Sequence, residues 1–529
     1  MCDSIEQRLQ QLGERIDAEP GFAFLNDLAT VFPDSEAFVV GGIVRDAALA
    51  RDAKDYDFIV RGVPADQLAA FLQERGKVNL VGRTFGVYKF VPQGWPDDAE
   101  AIDIALPRTE HAEGTGGYRD VETQSDPMLS IADDLARRDF TINAMAWDIR
   151  NSTLIDPFNG RADLDAHIIR AVGSATERFT EDRSRMLRAL RFACQLGFTI
   201  DEATLDAIRA LMPQINEQRE AKKAHPETTL IATTEFITPR EVIARELIKS
   251  FVANPVLALD LWRDAGAIDQ LMPELLPMEG CAQPEQFHAE GDVWQHTRLA
   301  LERLSSDEYR EWFGDTKPSA LTIFGILFHD IGKPPTQRTP DEHDTDRIRF
   351  DGHDTIGAKL TREIAQRLRL DSPFETEHPN HIDVQDLAWL VKNHLLLVND
   401  PSVMRPATIE RHFLHPDHPG YALQQIAFCD GAATVSEQHP DGTLDHFRTA
   451  MARIAEVRAL VDERNRLPAP VLDGNEIMDH FTLKGGPHMS GFIRALREEQ
   501  LRLLTDNQHV MTKEEARIFL QPLVDSARP

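Results

Sequence analysis

The strand-like stretches read from this chain all lie before about residue 160, and most of the remainder reads as helix. A chain divided in this way folds an α/β unit first and helical units after it. Ala37-Phe-Val-Val40 is a short apolar strand ended by Gly41-Gly42, with an Ala/Leu-rich helical stretch behind it. Asp57-Phe-Ile-Val60, Phe85-Gly-Val-Tyr-Lys-Phe-Val91 and Ala101-Ile-Asp-Ile-Ala105 are the next strands. Ahead of them, Leu9, Leu12, Ile16, Phe22, Leu25 and Leu28 recur at helical spacing, which predicts an amphipathic lead-in over residues 1–35. The α/β head is expected over 36–160 and a helical neck and body over 161–275. A polar insertion, Asn216 to Thr234, interrupts that body and reads as a surface loop. A His-rich helical region then runs over 276–455 and a helical tail over 456–529.

The chain's 529 residues exceed what one hydrophobic core organises. Fifty-seven Lys and Arg against 87 Asp and Glu leave a formal charge of −30, which excludes non-specific attraction to nucleic acid or to an anionic membrane. Binding to RNA would need a local basic patch, and Arg137 to Phe198 holds one, with 10 Arg against 8 acids. Cys2, Cys194, Cys281 and Cys429 are scattered, form no C-x-x-C pair, and suit a reducing compartment. The N-terminus lacks the apolar region of a signal peptide, and the longest apolar run, Ala320 to Phe328, is too short to cross a bilayer. A cytoplasmic protein that uses no membrane is the expectation.

Lys54-Asp55-Tyr56-Asp57 leads into the second strand. Positions i and i+2 of an extended segment share a face, so Asp55 and Asp57 project together. Two adjacent carboxylates repel unless a hard cation lies between them. Asp103 stands alone between Ile102 and Ile104, an acid that an apolar strand tolerates only with a partner. As a third carboxylate beside the first two it would complete a two-metal site for nucleotide chemistry. Gly41-Gly42 before a helix lets the backbone approach an anion, and Arg45 in the first helical turn can reach a triphosphate.

Gly41-Gly42-Ile-Val-Arg45-Asp46 with Asp55-Tyr-Asp57 resembles the head of the class II nucleotidyltransferases, the group of tRNA nucleotidyltransferases (CCA-adding enzymes) and bacterial poly(A) polymerases. Asp134-Leu-Ala-Arg137-Arg138-Asp139-Phe140-Thr141-Ile142-Asn143-Ala144-Met145 resembles the family's R-R-D-F-T-I-N-A motif. Glu181-Asp182-Arg183-Ser184-Arg185-Met186-Leu187-Arg188 resembles its E-D-x-x-R helix. The resemblance implies that Asp55, Asp57 and Asp103 are catalytic, the first two holding Mg²⁺. It implies that Gly41, Gly42, Arg45, Asp46, Arg137, Arg138, Asp139, Asn143, Asp182, Arg185 and Arg188 bind the nucleotide. On a helix over 181–196, Met186, Leu187, Leu190, Ala193 and Cys194 form the apolar stripe, with Arg185 and Arg188 opposite. Asp182 and Arg185 would then present an acceptor and a donor fork to cytosine and adenine, in place of a nucleic-acid template. Two departures stand out: Leu106-Pro107-Arg108 replaces the family's Thr-Phe-Arg, and Thr238-Pro-Arg240-Glu241 takes the place of a Ser-x-Glu-Arg element.

Further on, His296, His329-Asp330, His353, His394 and Asp430 supply imidazoles and carboxylates suited to divalent transition metals. Leu327-Phe-His329-Asp330-Ile-Gly-Lys-Pro resembles the HD superfamily of metal-dependent phosphohydrolases, whose core is H…HD…D. The resemblance assigns His296, His329, Asp330 and Asp430 to that core, with Asp417 and Asp445 as rivals of Asp430. His353 and His394 match the extra histidines of two-metal members.

The sequence thus predicts an α+β protein: an α/β nucleotidyltransferase head of the polymerase-beta type, then a mostly α-helical neck and body, an HD domain and a tail. The implied reaction is Mg²⁺-dependent addition of CMP and AMP, from CTP and ATP, to the 3′ end and acceptor stem of tRNA. CC-only or A-only addition and poly(A) polymerisation stay open, as does an HD phosphohydrolase with a regulatory nucleotide-binding head. The HD site would take Ni²⁺, Mn²⁺, Co²⁺ or Fe²⁺, and no protein partner is expected.

Overall fold

The structure is a computed structural model that describes residues 4–52, 55–81, 87–96, 101–112, 115–117, 121–224, 230–343, 345–397, 403–436, 442–466, 468–486, 488–507 and 509–527. Cys2, Lys54 and the first two residues of the strand expected over 85–91 lie outside these. The chain forms two compact units, Met1–His394 with Ala432–Gly442, and Leu395–Gly431 with Thr443–Pro529.

The first unit opens with a seven-stranded sheet. Its strands are β1 (Glu36–Val40), β2 (Asp57–Arg61), β3 (Gly76–Val81), β4 (Val87–Pro92), β5 (Ile102–Ala105), β8 (Ala146–Asp148) and β9 (Thr153–Ile155). A separate hairpin of β6 (Arg108–Ala112) and β7 (Val121–Ser125) lies between β5 and β8 in sequence. The sheet order is β3-β4-β5-β2-β1-β8-β9. Only β2 and β5 run parallel, joined by a crossover through the helix Ala65–Gln73 and the β3-β4 hairpin.

Strand periodicity decides what covers each face. Phe38, Val40 and Ile59 pack with Leu135, Ala144, Ala146 and Val172 on one side. Phe58 points to the other side, where its ring meets Phe22 at 5.4 Å and Phe24 at 6.1 Å. The N-terminal helices Ile5–Ala18 and Phe24–Val31 are therefore a layer of the head, with Leu9, Leu12, Ile16, Leu25 and Leu28 buried as their spacing predicts.

Beyond residue 160 the chain is largely helical, but strands do not vanish. Short parallel strands β10 (Ile168–Ile169) and β11 (Thr199–Ile200) pair with each other. The insertion read as a loop is a hairpin of β12 (Gln218–Ala224) and β13 (Leu230–Phe236), with 225–229 outside the described residues. Its Leu230-Ile-Ala-Thr-Thr run carries β-branched residues whose strand preference outweighs their polarity. Arg219 faces Glu235 directly across it at 2.9 Å. The second unit is helical, and its helix Asp445–Arg466 runs unbroken through the boundary placed at 455. No Gly or Pro interrupts that helix, and the next Pro is Pro468.

Phe24 is 5% exposed and also packs on Phe90 at 5.1 Å. Phe24→Ala should destabilise the head by about 3–5 kcal/mol in urea unfolding, whereas Val31→Ala, at an exposed position, should stay within about 0.5 kcal/mol. Equal and small effects would mean that the lead-in is not part of the head's core.

Candidate functional site

The parallel β2·β5 register sets Asp57 opposite Asp103. Asp55 lies just before β2, exposed, so it shares the strand's entrance and not the strand itself. Lys89 on β4 faces Asp103 from the far side, with Nζ 2.9 Å from Oδ1. Asp57 is open to solvent at the strand end, yet protein surrounds its carboxyl on the remaining sides. That desolvation pushes its pKa up to about 6, aided by the charges of Asp103 and Asp55 and opposed by Arg138 and Lys89.

Gly41 is held at φ +77, a conformation that disfavours side chains. A Cβ there would come within 2.7 Å of Arg138 Nη1 and 3.9 Å of Asp57 Oδ2. Glycine therefore lets the Arg138 guanidinium lie against the backbone beside the carboxylates. Asp134, fully buried, backs this arrangement: its Oδ1 accepts from Arg108 N and Arg137 Nε. Arg137 turns its Nη1 to Glu110 at 2.6 Å, so its fork is engaged beside β6.

A second chain of contacts joins the helix Gly42–Ala48 to the helix Ser184–Leu196. Arg45 grips Asp46 with two N–H groups at 2.8 and 2.9 Å and donates Nη1 to Asn143 Oδ1 at 2.7 Å. Asn143 donates Nδ2 to Asp139 Oδ1 at 3.0 Å, and Arg188 closes on Asp139 Oδ2 at 2.9 and 2.5 Å. Burial alone would raise the Asp139 carboxyl; Arg188 and Asn143 outweigh it and hold the group well below the usual range.

The helix expected from 181 starts at Ser184, since Asp182 is extended and spends its Oδ1 on the backbone N–H and hydroxyl of Ser184. Burial raises the Asp182 carboxyl against those bonds. Arg185 still lies 3.9 Å from Asp182, and donates to Glu181 and to the Arg137 carbonyl. The expected apolar stripe is buried throughout. Sequence reasoning missed Lys89, Asp134, Phe192 and the buried pair Arg191–Glu246, although a lone Lys in an apolar strand is a signal for the first.

The first unit also brings together His296, His329, Asp330, His353 and His394, all less than a tenth exposed. The His329, His353 and His394 Nδ1 atoms lie 2.7, 2.8 and 2.7 Å from the carbonyls of Ile326, Phe350 and Val391. A carbonyl only accepts, so each Nδ1 carries the proton and each Nε2 presents a lone pair. His296 Nδ1 is 2.8 Å from Glu290 Oε1, which His288 also contacts. Burial would raise Glu290, but these two histidines outweigh it and bring it down to about 2.

The Nε2 atoms then face one another, His329 to His296 at 3.4 Å and His353 to His394 at 3.3 Å. Lone pairs so close repel without a cation between them. Asp330 spans the two pairs: Oδ2 lies 3.2 and 3.8 Å from His329 and His296, and Oδ1 3.6 and 3.7 Å from His353 and His394. Lys333 Nζ reaches Asp330 Oδ2 at 2.6 Å and Gln283 Oε1 at 2.7 Å. Such a nitrogen–oxygen set fits divalent transition metals, and Asp330, His353 and His394 meet the spacing for one ion. Asp430 lies in the helix Gly420–Ala433, partly exposed. Its rivals are both exposed, Asp417 beside His415 and Asp445 beside Arg448. Glu290 and Lys333 hold His296 and Asp330 by direct contact, and the sequence reading passed over both roles, although Lys333 stands at i+3 from Asp330.

Residues 37–170 match the poly A polymerase head domain family, and residues 293–415 match the HD domain family. The chain thus carries a poly A polymerase head domain with an HD domain behind it. Among solved structures, the Bacillus stearothermophilus CCA-adding enzyme in complex with CTP is 18% identical, with a TM-score of 0.50 over 96% of this chain and 99% of that one. The Thermotoga maritima CCA-adding enzyme complexed with tRNA gives 18%, 0.50 and 96% of both chains. A CCA-adding enzyme complexed with ATP gives 18%, 0.51, 96% of this chain and 94% of that one. At this identity the likeness establishes the fold. Among the described residues, no helix is long and apolar enough to cross a membrane.

A divalent ion needs Asp57 ionised, and a group titrating near pH 6 is about nine-tenths ionised at pH 7 and about one-tenth at pH 5. Mn²⁺ affinity of the head, measured by calorimetry on the His329→Ala/Asp330→Ala background, should fall about tenfold across that range. A flat profile would show that Asp57 is not raised.

Proposed function

We propose that this chain adds CMP and AMP from CTP and ATP to the 3′ end of tRNA, without a nucleic-acid template and with release of pyrophosphate. The observation that supports this most is the registered pair Asp57 and Asp103, with Asp55 at the strand entrance and Arg138 laid against Gly41. Divalent ions bound by Asp55 and Asp57, Mg²⁺ in this reading, supply charge compensation at the triphosphate. Asp103 is the acid nearest the incoming 3′-hydroxyl and helps take its proton. Arg138 and Arg45 hold phosphate oxygens, with the Gly41-Gly42 backbone leaving room for them. Asp182 and Arg185 present acceptor and donor atoms to the base, with Arg188 and Asp139 fixing the helix that carries them. The basic stretch within 137–198 provides the RNA-facing charge that the chain as a whole lacks.

The experiment supplies tRNAs ending before the two C residues, after one and after both, with CTP, ATP or both. The full CCA reaction extends each of them to the same end. Addition of C alone, A alone or a long A tract would identify a partial enzyme or a poly(A) polymerase. Asp57→Ala should lower addition by at least about 10³-fold with the fold intact by circular dichroism. Wild-type-like addition by that variant would end the assignment.

A second activity is favoured by the four converging imidazoles around Asp330. We propose that this site binds transition metal, with Asp430 completing the set by its place in the H…HD…D order, and hydrolyses phosphate ends of damaged tRNA. For a 2′,3′-cyclic phosphate, water adds to phosphorus, one ribose P–O bond breaks, and the freed ribose oxygen takes a proton. His329→Ala with Asp330→Ala should remove release of the opened nucleotide from 2′,3′-cAMP with Ni²⁺ or Mn²⁺, while nucleotide addition continues. Absence of transition metal in the purified wild type, with no hydrolysis, would reduce this region to a structural bundle.

A further inference from the structure

Phe192 lies on the helix Ser184–Leu196 one turn beyond Arg188 and is 6% exposed. Three guanidinium groups lie over its ring, with carbons 4.0 Å (Arg191), 5.0 Å (Arg45) and 5.5 Å (Arg188) from the centroid. Each has a carboxylate of its own: Glu246, Asp46 and Asp139 respectively. The ring is the element that all three share. Phe140 also meets the ring, edge to face at 5.8 Å. Three cations crowded around one buried ring repel one another, and the negative face of that ring is a surface on which they settle without forming rival ion pairs. An aliphatic side chain of similar size would fill the volume and offer no such face.

Two of the three cations belong to opposite ends of the head's site. Arg45 comes from the helix behind Gly41, and Arg188 from the helix that carries Arg185. Asn143 and Asp139 bridge them by hydrogen bonds, and Phe192 lies beneath both. We infer that Phe192 is a positioning residue that fixes the spacing between the phosphate-holding and base-facing ends of the nucleotide site, and thereby sets nucleotide discrimination without touching the nucleotide. The inference rests on the reading of the head as a nucleoside triphosphate site. A nucleotide gripped at both ends is discriminated only if that spacing is rigid. With the ring gone, Arg45 and Arg188 keep their carboxylates but lose their common seat, and the wrong base is accepted more readily.

The test measures binding of CTP, ATP and UTP with Mg²⁺ by calorimetry, and steady-state nucleotide addition, on the full-length chain. Phe192→Leu should raise KM for CTP and ATP and cut the CTP-to-UTP affinity ratio by about tenfold, with kcat changed less than about threefold. Phe192→Tyr keeps the ring face and should restore the ratio to within about twofold of wild type. Thermal unfolding of each variant shows whether it is folded, and Phe192→Met is read in place of Phe192→Leu if the latter is not. A folded leucine or methionine variant with the wild-type ratio would overturn the inference, as would loss of kcat with KM unchanged. If the wild type binds no triphosphate, the proposed nucleotide addition falls with it. If the wild type binds and discriminates while the variants do so equally, only the role of Phe192 falls.

Discussion

Like charges forced into one place are the condition that shapes the head. Asp57 and Asp103 are set side by side by the parallel register of two strands, with Asp55 at the entrance. Such a cluster is unfavourable until cations answer it, and the surrounding groups answer it in part: Lys89 across from Asp103, and Arg138 laid against Gly41. Desolvation raises the Asp57 carboxyl to about 6, and the charges of Asp103 and Asp55 add to that rise. Much else in the head is a response to this demand. Gly41 lacks a side chain because Arg138 lies where a Cβ would go, and Asp134 is buried because the arginines beside it need a fixed anchor.

The two side-chain clusters offer a cation different donor atoms. The head offers carboxylate oxygens at the ends of two central strands of its sheet, a set suited to a hard ion that keeps part of its water. The HD region offers imidazole nitrogens around one buried carboxylate. There three carbonyls and one glutamate claim the Nδ1 protons, and every Nε2 keeps its lone pair facing the cluster. A neutral imidazole so held is a softer donor than a carboxylate, so the proposed metals differ between the sites.

Between the head and the body the decisive contacts are arginines paired with buried or half-buried carboxylates. Arg45, Arg188 and Arg191 each have a carboxylate, and all three meet on Phe192. Breaking such a partnered buried charge is far more damaging than losing a surface pair. The helix Gly42–Ala48 is thereby held to the helix Ser184–Leu196 by electrostatics as well as by packing.

Local pattern carried most of the fold. The strands at 37–40, 57–60, 87–91 and 102–105 and the buried stripe Met186–Cys194 come from periodicity, which depends only on neighbours in sequence. The acids Asp55, Asp57 and Asp103 and the histidines at 296, 329, 353 and 394 stood out because charge and imidazole are rare in apolar surroundings. The hairpin at 218–236 did not, since polar β-branched residues serve a loop and a strand equally well until the partner strand is known. Asp182 was placed on a helix that begins two residues later, because a side chain's choice to cap a turn is invisible in spacing. The sequence alone singled out the residues proposed to bear the chemistry. Tertiary structure alone decided that Asp57 faces Asp103, that Asp330 spans two imidazole pairs, and that three arginines share one ring. Those relations join positions tens to more than a hundred residues apart, and only the completed packing sets such distances.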